Sequence, residues 1–345
     1  MFGERLKRAR IKSGLSLEAL SQKANNIVTK QAISQYEKNQ KNPSSTVLIG
    51  LANALGVGVE YFFRTMDVQI GEVDFRKHSA LSKKKQEIIK EKVQEYLERY
   101  VQIEEILEIK APFVNPIQNN VLKSMNDIED IVMRLRKEWN LGFDPIYNIV
   151  EMLELKSIKV LLLDDDKKFN GLSGYTNSNI SEPFIVLNIN KKLSDDRKRF
   201  TALHELGHLL LPQHKLDEEK ASDRFAGAFL FPKESVFKEF GERRTKISFE
   251  ELKHIKLKYG ISIAGIVFRL HQLHIINDAM FKRFWIKNRI AKFDDKVVLK
   301  RDERVTRFEN LLAHAYSEKL ISLSKLAELS GDSVDDALAK YGEMI

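Results

Sequence analysis

The chain has 345 residues, of which 43% are hydrophobic and 31% are charged, a composition typical of a globular protein with more than one domain. It contains no cysteine, which excludes disulfides and thiolate metal ligands, so a metal site would have to use histidine and carboxylate side chains. No apolar run approaches the roughly 18 residues of a membrane span. The charged start MFGERLKRARIKSG is not typical of a signal peptide. We therefore expect a cytoplasmic protein without a membrane partner.

The net charge of +8 is unevenly distributed along the chain. Residues 1–45 contain nine Lys or Arg against three Asp or Glu. Such a local excess of positive charge indicates a polyanion as the partner of the first segment. The alternative is that these charges form an ordinary solvated surface.

Hydrophobic periodicity predicts a mainly α fold with a small β-sheet (α+β). Residues 1–64 show the pattern of four or five short helices. Residues 65–116 form a linker whose stretch 81–109 has no Gly or Pro and predicts one long helix, either a spacer or the seam of a homodimer. Residues 117–285 mix helices and strands, and residues 286–345 form a C-terminal helical unit with two short helices around SGDS.

Within the first segment, residues 16–25 and 29–38 predict two helices joined by a turn, with Ser16 and Thr29 as N-caps. Ala32, Ile33 and Tyr36 face inward on the second helix. Its outward positions carry side chains that can reach base edges or phosphates in a major groove. With the cap, the candidate DNA-contacting residues are Thr29, Lys30, Gln31, Ser34, Gln35 and Lys38.

Three phrases of this segment, RLKRARIKSGLSLEAL, AISQYEKNQKNPS and LIGLANALGV, resemble the Xre/Cro-type helix-turn-helix regulators. The resemblance implies a double-stranded DNA operator as partner. It also implies a dimer, because such bundles usually read two half-sites. The connection ANNIVT is longer than the common family pattern.

The third segment contains two strand-like runs, SIKVLLL at 157–163 and PFIVLNIN at 183–190. Between them, GLSGYTNSNISE predicts a loop or a hairpin. Helices are predicted at about 122–139, 145–154, 194–211, 217–231 and 248–259.

The helix at 194–211 contains TALHELGHLLL, in which two histidines and a glutamate stand among leucines. Residues four apart share one helix face, so His204 and His208 can direct ring nitrogens at one point. Zinc accepts imidazole ligands, and Glu205 is placed to take a proton from a water without being a ligand. This is the His-Glu-x-x-His pattern of metallopeptidases. The alternative is a pair of satisfied core histidines.

A third ligand is available on the following helix, DEEKASDRFAGAFLFP. Glu219 would complete a His, His, Glu site with one open position. Asp223, one turn further on, could accept a hydrogen bond from the outer nitrogen of a ligand histidine and so fix its tautomer. The sequence therefore predicts a site with one Zn2+ per chain, whose ligands are His204, His208 and Glu219. Glu205 is the predicted base, and Asp223 is predicted to accept a hydrogen bond from a ligand histidine.

RFTALHELGHLLL and EEKASDRFAGAFLFP, with PFIVLNIN in the place of an edge strand, resemble the ImmA/IrrE zinc metallo-endopeptidases. The resemblance implies a zincin-like domain that cleaves a partner protein, such as an Xre-type repressor, a toxin or antitoxin, or another copy of the chain. Strand 183–190 could pair with an extended substrate. Candidates for stabilising the oxyanion, by residue type alone, are Tyr175, His214, Arg269, His271 and His274.

Two functions remain open at this point. The first is a transcriptional regulator with an active zinc endopeptidase. The second is a non-catalytic DNA-binding repressor or antitoxin whose peptidase-like domain binds or senses a partner protein. The intact Glu205 favours the first.

Overall fold

The computed structural model describes residues 2–64, 68, 70, 81–109, 112–164, 169–177, 181–190, 194–213, 215–286, 294, 296–301 and 303–343. These residues are mainly α-helical and include one three-stranded sheet, as the periodicity predicts. The chain divides into two compact units. Unit 1 comprises residues 1–70, 74–110 and 308–345, and unit 2 comprises 71–73 and 111–307.

Unit 1 begins with the predicted helical bundle. Side-chain oxygens of Ser16, Thr29 and Ser44 accept hydrogen bonds from backbone amides two or three residues into the helices that follow them. Asn25 and Asn26, in the long connection, have φ of 54° and 55°, a region that asparagine tolerates better than most residues. The elements are α1 (Phe2–Lys12), α2 (Leu17–Lys23), α3 (Lys30–Glu37), α4 (Ser45–Leu55) and a 3₁₀ helix (Val59–Phe63).

The long helix α5 (Lys83–Ile106) packs against α1 through buried ion pairs. Glu98 of α5 accepts hydrogen bonds from Arg5 at 2.5 Å and from Arg8 at 2.6 Å. Lys12 donates to Glu95 at 2.7 Å. Since these carboxylates satisfy the cations of α1, α5 is part of the unit and not an extended spacer.

The C-terminal helices α14 (Arg307–Ser317), α15 (Leu323–Ser330) and α16 (Val334–Tyr341) also belong with α5. Tyr100 and Ile103 of α5 share one apolar core with Phe308, Leu312 and Leu326. The Arg99 guanidinium donates to the carbonyl oxygens of Leu329 and Ser330, at the C-terminal end of α15. The structure therefore groups the linker helix and the last helices with the N-terminal bundle, whereas the sequence predicted three separate segments.

Unit 2 contains the sheet and the helices around it. Its strands are β1 (Lys159–Leu163), β2 (Gly171–Tyr175) and β3 (Pro183–Asn188). Its helices are α6 (Asp127–Glu138), α7 (Ile149–Leu155), α8 (Asp195–Leu210), α9 (Glu218–Leu230), α10 (Lys233–Phe240), α11 (Phe249–Tyr259), α12 (Ile263–Gln272) and α13 (Asp278–Trp285). The predicted helices and strands of this segment are thus present, with ends that differ by a few residues.

Strand β3 lies in the middle of the sheet, which corrects one prediction. It pairs in parallel with β1 and antiparallel with β2, so hydrogen bonds occupy both of its edges. The predicted pairing of residues 183–190 with a substrate is therefore wrong. The segment from Gly171, left open as a loop or a hairpin, supplies β2, whose outer edge has no partner strand among the described residues.

None of the helices in the described ranges is both long and apolar enough to cross a membrane.

Glu154, at the end of α7, is a buried carboxyl group with an unusual environment. It is 3% exposed, and its Oε2 accepts hydrogen bonds from the backbone amides of Thr306 and Arg307 at 3.2 Å. Its Oε1 has no hydrogen-bond partner among the described residues. Burial disfavours the charged form and raises the pKa of Glu154 from 4.5 to about 7, against the opposing effect of the two amides.

This shift predicts a pH-dependent stability. The proton that the native state retains is lost from the unfolded chain above its pKa of 4.5, so the stabilisation is complete below pH 4.5 and is lost as pH rises through about 7. Between pH 5 and pH 8 the wild type should lose about 2–3 kcal/mol of unfolding free energy relative to Glu154→Gln, which cannot ionise. Urea unfolding of both proteins at each pH measures this difference. Parallel pH profiles would contradict it.

Candidate metal centre and candidate DNA-contacting helix

Helix α8 places the three polar residues of TALHELGHLLL between the sheet and α9. Its apolar side buries Leu203, Leu206 and Leu210 completely. His204 and His208 lie one turn apart on another side, with their Nε2 atoms 3.0 Å from each other. The helical spacing thus brings both ring nitrogens to one point.

Helix α9 lies very close to α8 because Gly207 stands at the contact. A Cβ atom at Gly207 would be 3.1 Å from the Cα of Ser222 and 3.3 Å from the ring of Phe225. This approach carries Glu219 to the histidines. Its carboxylate oxygens lie 3.4 Å from His204 Nε2 and 3.4 Å from His208 Nε2.

These distances fit a single zinc ion. Zn–N and Zn–O bonds of about 2.0–2.1 Å at tetrahedral angles place neighbouring ligand atoms about 3.3 Å apart. The ligand atoms of His204, His208 and Glu219 all lie within 4.8 Å of one another. The donor set of two imidazoles and one carboxylate is one that zinc prefers in catalytic sites, where the fourth position is left to water or substrate.

Two residues of α9 contact the outer nitrogens of the histidines. Asp223 Oδ1 lies 2.8 Å from His204 Nδ1, and Ser222 Oγ lies 3.1 Å from His208 Nδ1. An ionised carboxylate can only accept, so His204 Nδ1 must donate to Asp223, and the neutral ring then directs a lone pair from Nε2 toward His208 and Glu219. Lone pairs of the ring nitrogens and of the Glu219 carboxylate that point at one place repel one another unless a cation or a proton lies between them.

The charges around His204 favour a cation. Burial lowers the pKa of His204, but the hydrogen bond from the ring to Asp223 and the charges of Glu205, Asp223 and Glu219 outweigh that effect, so the pKa is raised above 6.5. The same negative charges would stabilise a metal ion in the site.

Glu205 is 7% exposed and points toward strand β2. The Ser173 hydroxyl donates to Glu205 Oε2 at 2.8 Å. At Gly171, two residues earlier on the same side of β2, a Cβ would lie 2.8 Å from the Thr201 side chain and 3.3 Å from Glu205 Cγ. Glycine there permits β2 to lie directly against the turn of α8 that carries Glu205.

Ser173 and Ser222 are not among the residues predicted from the sequence. Serine is common, and neither position belongs to a motif with a defined spacing. The one signal that could have found Ser222 is its position, one residue before Asp223 and three after Glu219, which places it on the side of α9 that faces α8.

The oxyanion candidates that lie in the described part of the chain contact residues other than the three proposed ligands. Arg269 is buried against Glu129, at 2.6 and 2.8 Å, and His271 lies 2.7 Å from Asp278. The hydroxyl of Tyr175 donates to the carbonyl of Leu209 at 2.8 Å. His274 is exposed, and His214 lies outside the described residues.

Helix α3 presents the predicted DNA-contacting side chains. Ile33 is buried, and Ala32 and Tyr36 pack against the bundle core, as predicted. The exposed residues are Thr29, Lys30, Gln31 and Lys38, and Ser34 and Gln35 are partly exposed. Lys30 makes a surface ion pair with Glu18 at 2.6 Å, which a phosphate could replace.

The positive charge of α1 has a different role. Arg5, Arg8 and Lys12 pair with glutamates of α5, and Arg10 donates to Glu37 at 2.6 and 2.9 Å. Much of the local charge excess that indicated a polyanion partner is therefore neutralised inside unit 1. A DNA surface would have to rely on the exposed lysines and the amides around α3 and the start of α4.

Comparison with known families gives two matches. Residues 6–62 match the family model described as Helix-turn-helix, and residues 154–271 match that of the IrrE N-terminal-like domain, a peptidase family. The first match covers the bundle. The second contains β1–β3, α8 and α9, and therefore the whole metal centre. Both agree with the resemblances seen in the sequence.

A search of curated proteins finds no significant match. Among solved structures, the chain is similar to Bacillus thuringiensis PlcR, crystallised in complex with the peptide PapR7 and DNA. The identity is 12%, and the alignment covers 98% of this chain and 94% of that chain. The TM-score of 0.19 is too low for this likeness to support a conclusion about fold or function.

The contact between Ser222 and His208 predicts an effect on metal affinity. Ser222→Ala should weaken zinc binding by about tenfold, because loss of a hydrogen-bond partner behind a metal-bound histidine costs about 10- to 100-fold. Competition with a chromophoric chelator measures the affinity. Ser235→Ala is the matched control, since it removes another buried serine hydroxyl of unit 2, bonded to the Phe143 carbonyl. Equal affinities in both variants would show that Ser222 has no such role.

Proposed function

We propose that this chain, which joins a DNA-binding helix-turn-helix domain to an IrrE N-terminal-like domain, is a transcriptional regulator with a zinc-dependent endopeptidase site that cleaves a protein partner. The observation that carries the proposal is the convergence of His204 Nε2, His208 Nε2 and the Glu219 carboxylate beside the buried carboxylate of Glu205. The helix-turn-helix match supports the regulatory part, since the family binds DNA.

His204, His208 and Glu219 would hold the zinc ion, which supplies Lewis-acid chemistry to the peptide carbonyl and the attacking water. Glu205 accepts the proton of that water and delivers it to the leaving amine nitrogen. Asp223 and Ser222 orient the two histidine rings from behind. The roles of base and ligand are separate because Glu205 faces β2, whereas Glu219 approaches from α9.

The outer edge of β2 is suited to an extended peptide. Asn188 donates to the carbonyl of Asn170, and Thr176 donates to that of Glu182, so the backbone groups of even-numbered residues in β2 face β3. In an antiparallel ladder the intervening residues face the other way. Gly171, Ser173 and Tyr175 therefore direct N–H and C=O groups to the open edge. A substrate strand added there would pass beside Glu205.

The substrate class follows from this edge. A strand that pairs with β2 must be extended, so we expect cleavage in a flexible segment of the partner and not in a packed helix. A partner repressor, a toxin or antitoxin, and a second copy of this chain all remain within the proposal.

The base can be removed with little change in shape. Glu205→Gln should retain zinc and DNA binding but abolish cleavage, because the amide cannot accept the proton. Protein N-termini that appear in cells with the wild type, on transfer to inducing conditions, should be absent with Glu205→Gln. Glu151→Gln, an exposed glutamate on α7, is the matched control and should behave as the wild type.

Elemental analysis together with the Glu205-dependent N-termini separates the two functions left open by the sequence. Wild-type protein with about one zinc per chain, less in Glu219→Ala, together with N-termini that depend on Glu205, supports the endopeptidase. Zinc without such N-termini, and unchanged repression and derepression in Glu205→Gln, would contradict it and favour a non-catalytic regulator that binds a partner.

If α3 contacts DNA, substitutions at two of its residues should weaken DNA binding in two different ways. Lys30→Ala should weaken binding to all DNA and lower the slope of log affinity against log salt by about one, because one phosphate contact is lost. Gln35→Ala should weaken binding to selected sites more than to random DNA. Fluorescence anisotropy with sites selected from a random pool measures both. Lys319→Gln, at an exposed lysine of unit 1, is the control. Unaltered binding in both test variants would exclude this placement of the recognition helix.

A further inference from the structure

Ser173 connects the base to the edge where the substrate would bind. The backbone N–H and C=O groups of Ser173, like those of Gly171 and Tyr175, face the open edge of β2. Its side chain lies on the face of β2 that contacts α8, and its hydroxyl donates to Glu205 Oε2 at 2.8 Å. Its neighbours on that face have other contacts, because Gly171 has no side chain and Tyr175 donates to the Leu209 carbonyl.

We propose that Ser173 is a positioning residue that holds the Glu205 carboxylate in the orientation needed for proton transfer and ties that orientation to the strand that receives the substrate. This inference rests on the proposed endopeptidase function and deepens it.

Three features of the structure support this role. A carboxylate bonded by a hydroxyl through one oxygen loses rotational freedom about its last bond, and such charge-assisted bonds are stronger than neutral ones. Glu205 is largely buried, so water competes little with that bond. A Cβ at Gly171 would lie 3.3 Å from Glu205 Cγ, so β2 passes close to the Glu205 side chain at Gly171 as well as at Ser173.

A substrate strand on β2 would fix the backbone of Ser173 by pairing with it. The Ser173 hydroxyl oxygen is two bonds from the backbone Cα. A backbone held by the bound strand therefore also holds the hydroxyl that bonds Glu205. Ser173 would then both align the substrate strand and set the orientation of Glu205. The reaction requires a proton acceptor within hydrogen-bond reach.

The test uses full-length protein loaded with Co2+ in place of zinc, and acetohydroxamic acid as the probe. The two oxygens of this ligand bind a metal, and its acidic proton passes to a neighbouring carboxylate, so its affinity reports whether that carboxylate is correctly placed. The visible absorption of Co2+ follows the titration without any substrate, and elemental analysis gives the metal content of each variant.

We expect Ser173→Ala to keep its cobalt and to bind the probe roughly tenfold more weakly, which corresponds to the loss of one charge-assisted hydrogen bond. Ser173→Thr retains a hydroxyl on a strand-compatible side chain and should restore the affinity. On a Glu205→Gln background, Ser173→Ala should have little further effect, because Ser173 acts through Glu205. Ser235→Ala is the matched control.

The possible failures are distinguishable. Wild-type protein that binds no cobalt would overturn the proposed function and this inference with it. Wild type and Ser173→Ala with equal probe affinity would overturn the inference alone. The same holds if the loss persists undiminished in the Glu205→Gln background, or if Ser173→Thr fails to restore binding while retaining its metal.

Discussion

The candidate metal centre depends on the close approach of α8 and α9 at Gly207. A Cβ there would lie 3.1 Å from the Cα of Ser222, so the helices would have to shift by a few tenths of an ångström to admit it. The contacts of all three α9 residues with the histidines would then lengthen together, because Glu219, Ser222 and Asp223 stand on one face of a rigid helix. One glycine on α8 thus affects the position of both the proposed third ligand, Glu219, and the residues that contact the outer nitrogens of the two histidines. The polar residues of α8 can stand among its leucines because side chains of α9 and β2 form hydrogen bonds with them.

Much of this site can be predicted from the sequence because helical spacing is a strong constraint. His204 and His208 follow from the four-residue interval, and Glu219 and Asp223 follow from the same interval on α9. Strand β2 was harder to predict. GLSGY has two glycines and no alternation of apolar residues, since one of its faces meets the polar side of α8 and not a hydrophobic core. The apolar run of β3 predicted a strand, but the sequence placed it at the sheet edge; burial of all its residues reflects its central place in the sheet.

Charge patterns were less informative than spacing. Net charge in a segment does not show whether its cations face solvent or carboxylates elsewhere in the chain. Arg5 and Arg8 pair with Glu98, which is 93 and 90 residues away, and no local pattern reveals this pairing. The same limit applies to Ser173, which is 32 residues from Glu205. Residues that act through long-range hydrogen bonds become visible only when the fold brings their elements together.

Unit 1 is assembled from both ends of the chain, with unit 2 inserted between α5 and α14. On the ribosome, therefore, residues 111–307 can complete their core while the surface of α5 around Tyr100 and Ile103 still awaits α14 and α15. The helices that close that surface are synthesised only after unit 2. Chains that terminate early would expose this apolar face next to the helix-turn-helix bundle, which makes them targets for chaperones and proteases. The inserted arrangement thus makes completion of the unit 1 core depend on residues that are synthesised after unit 2.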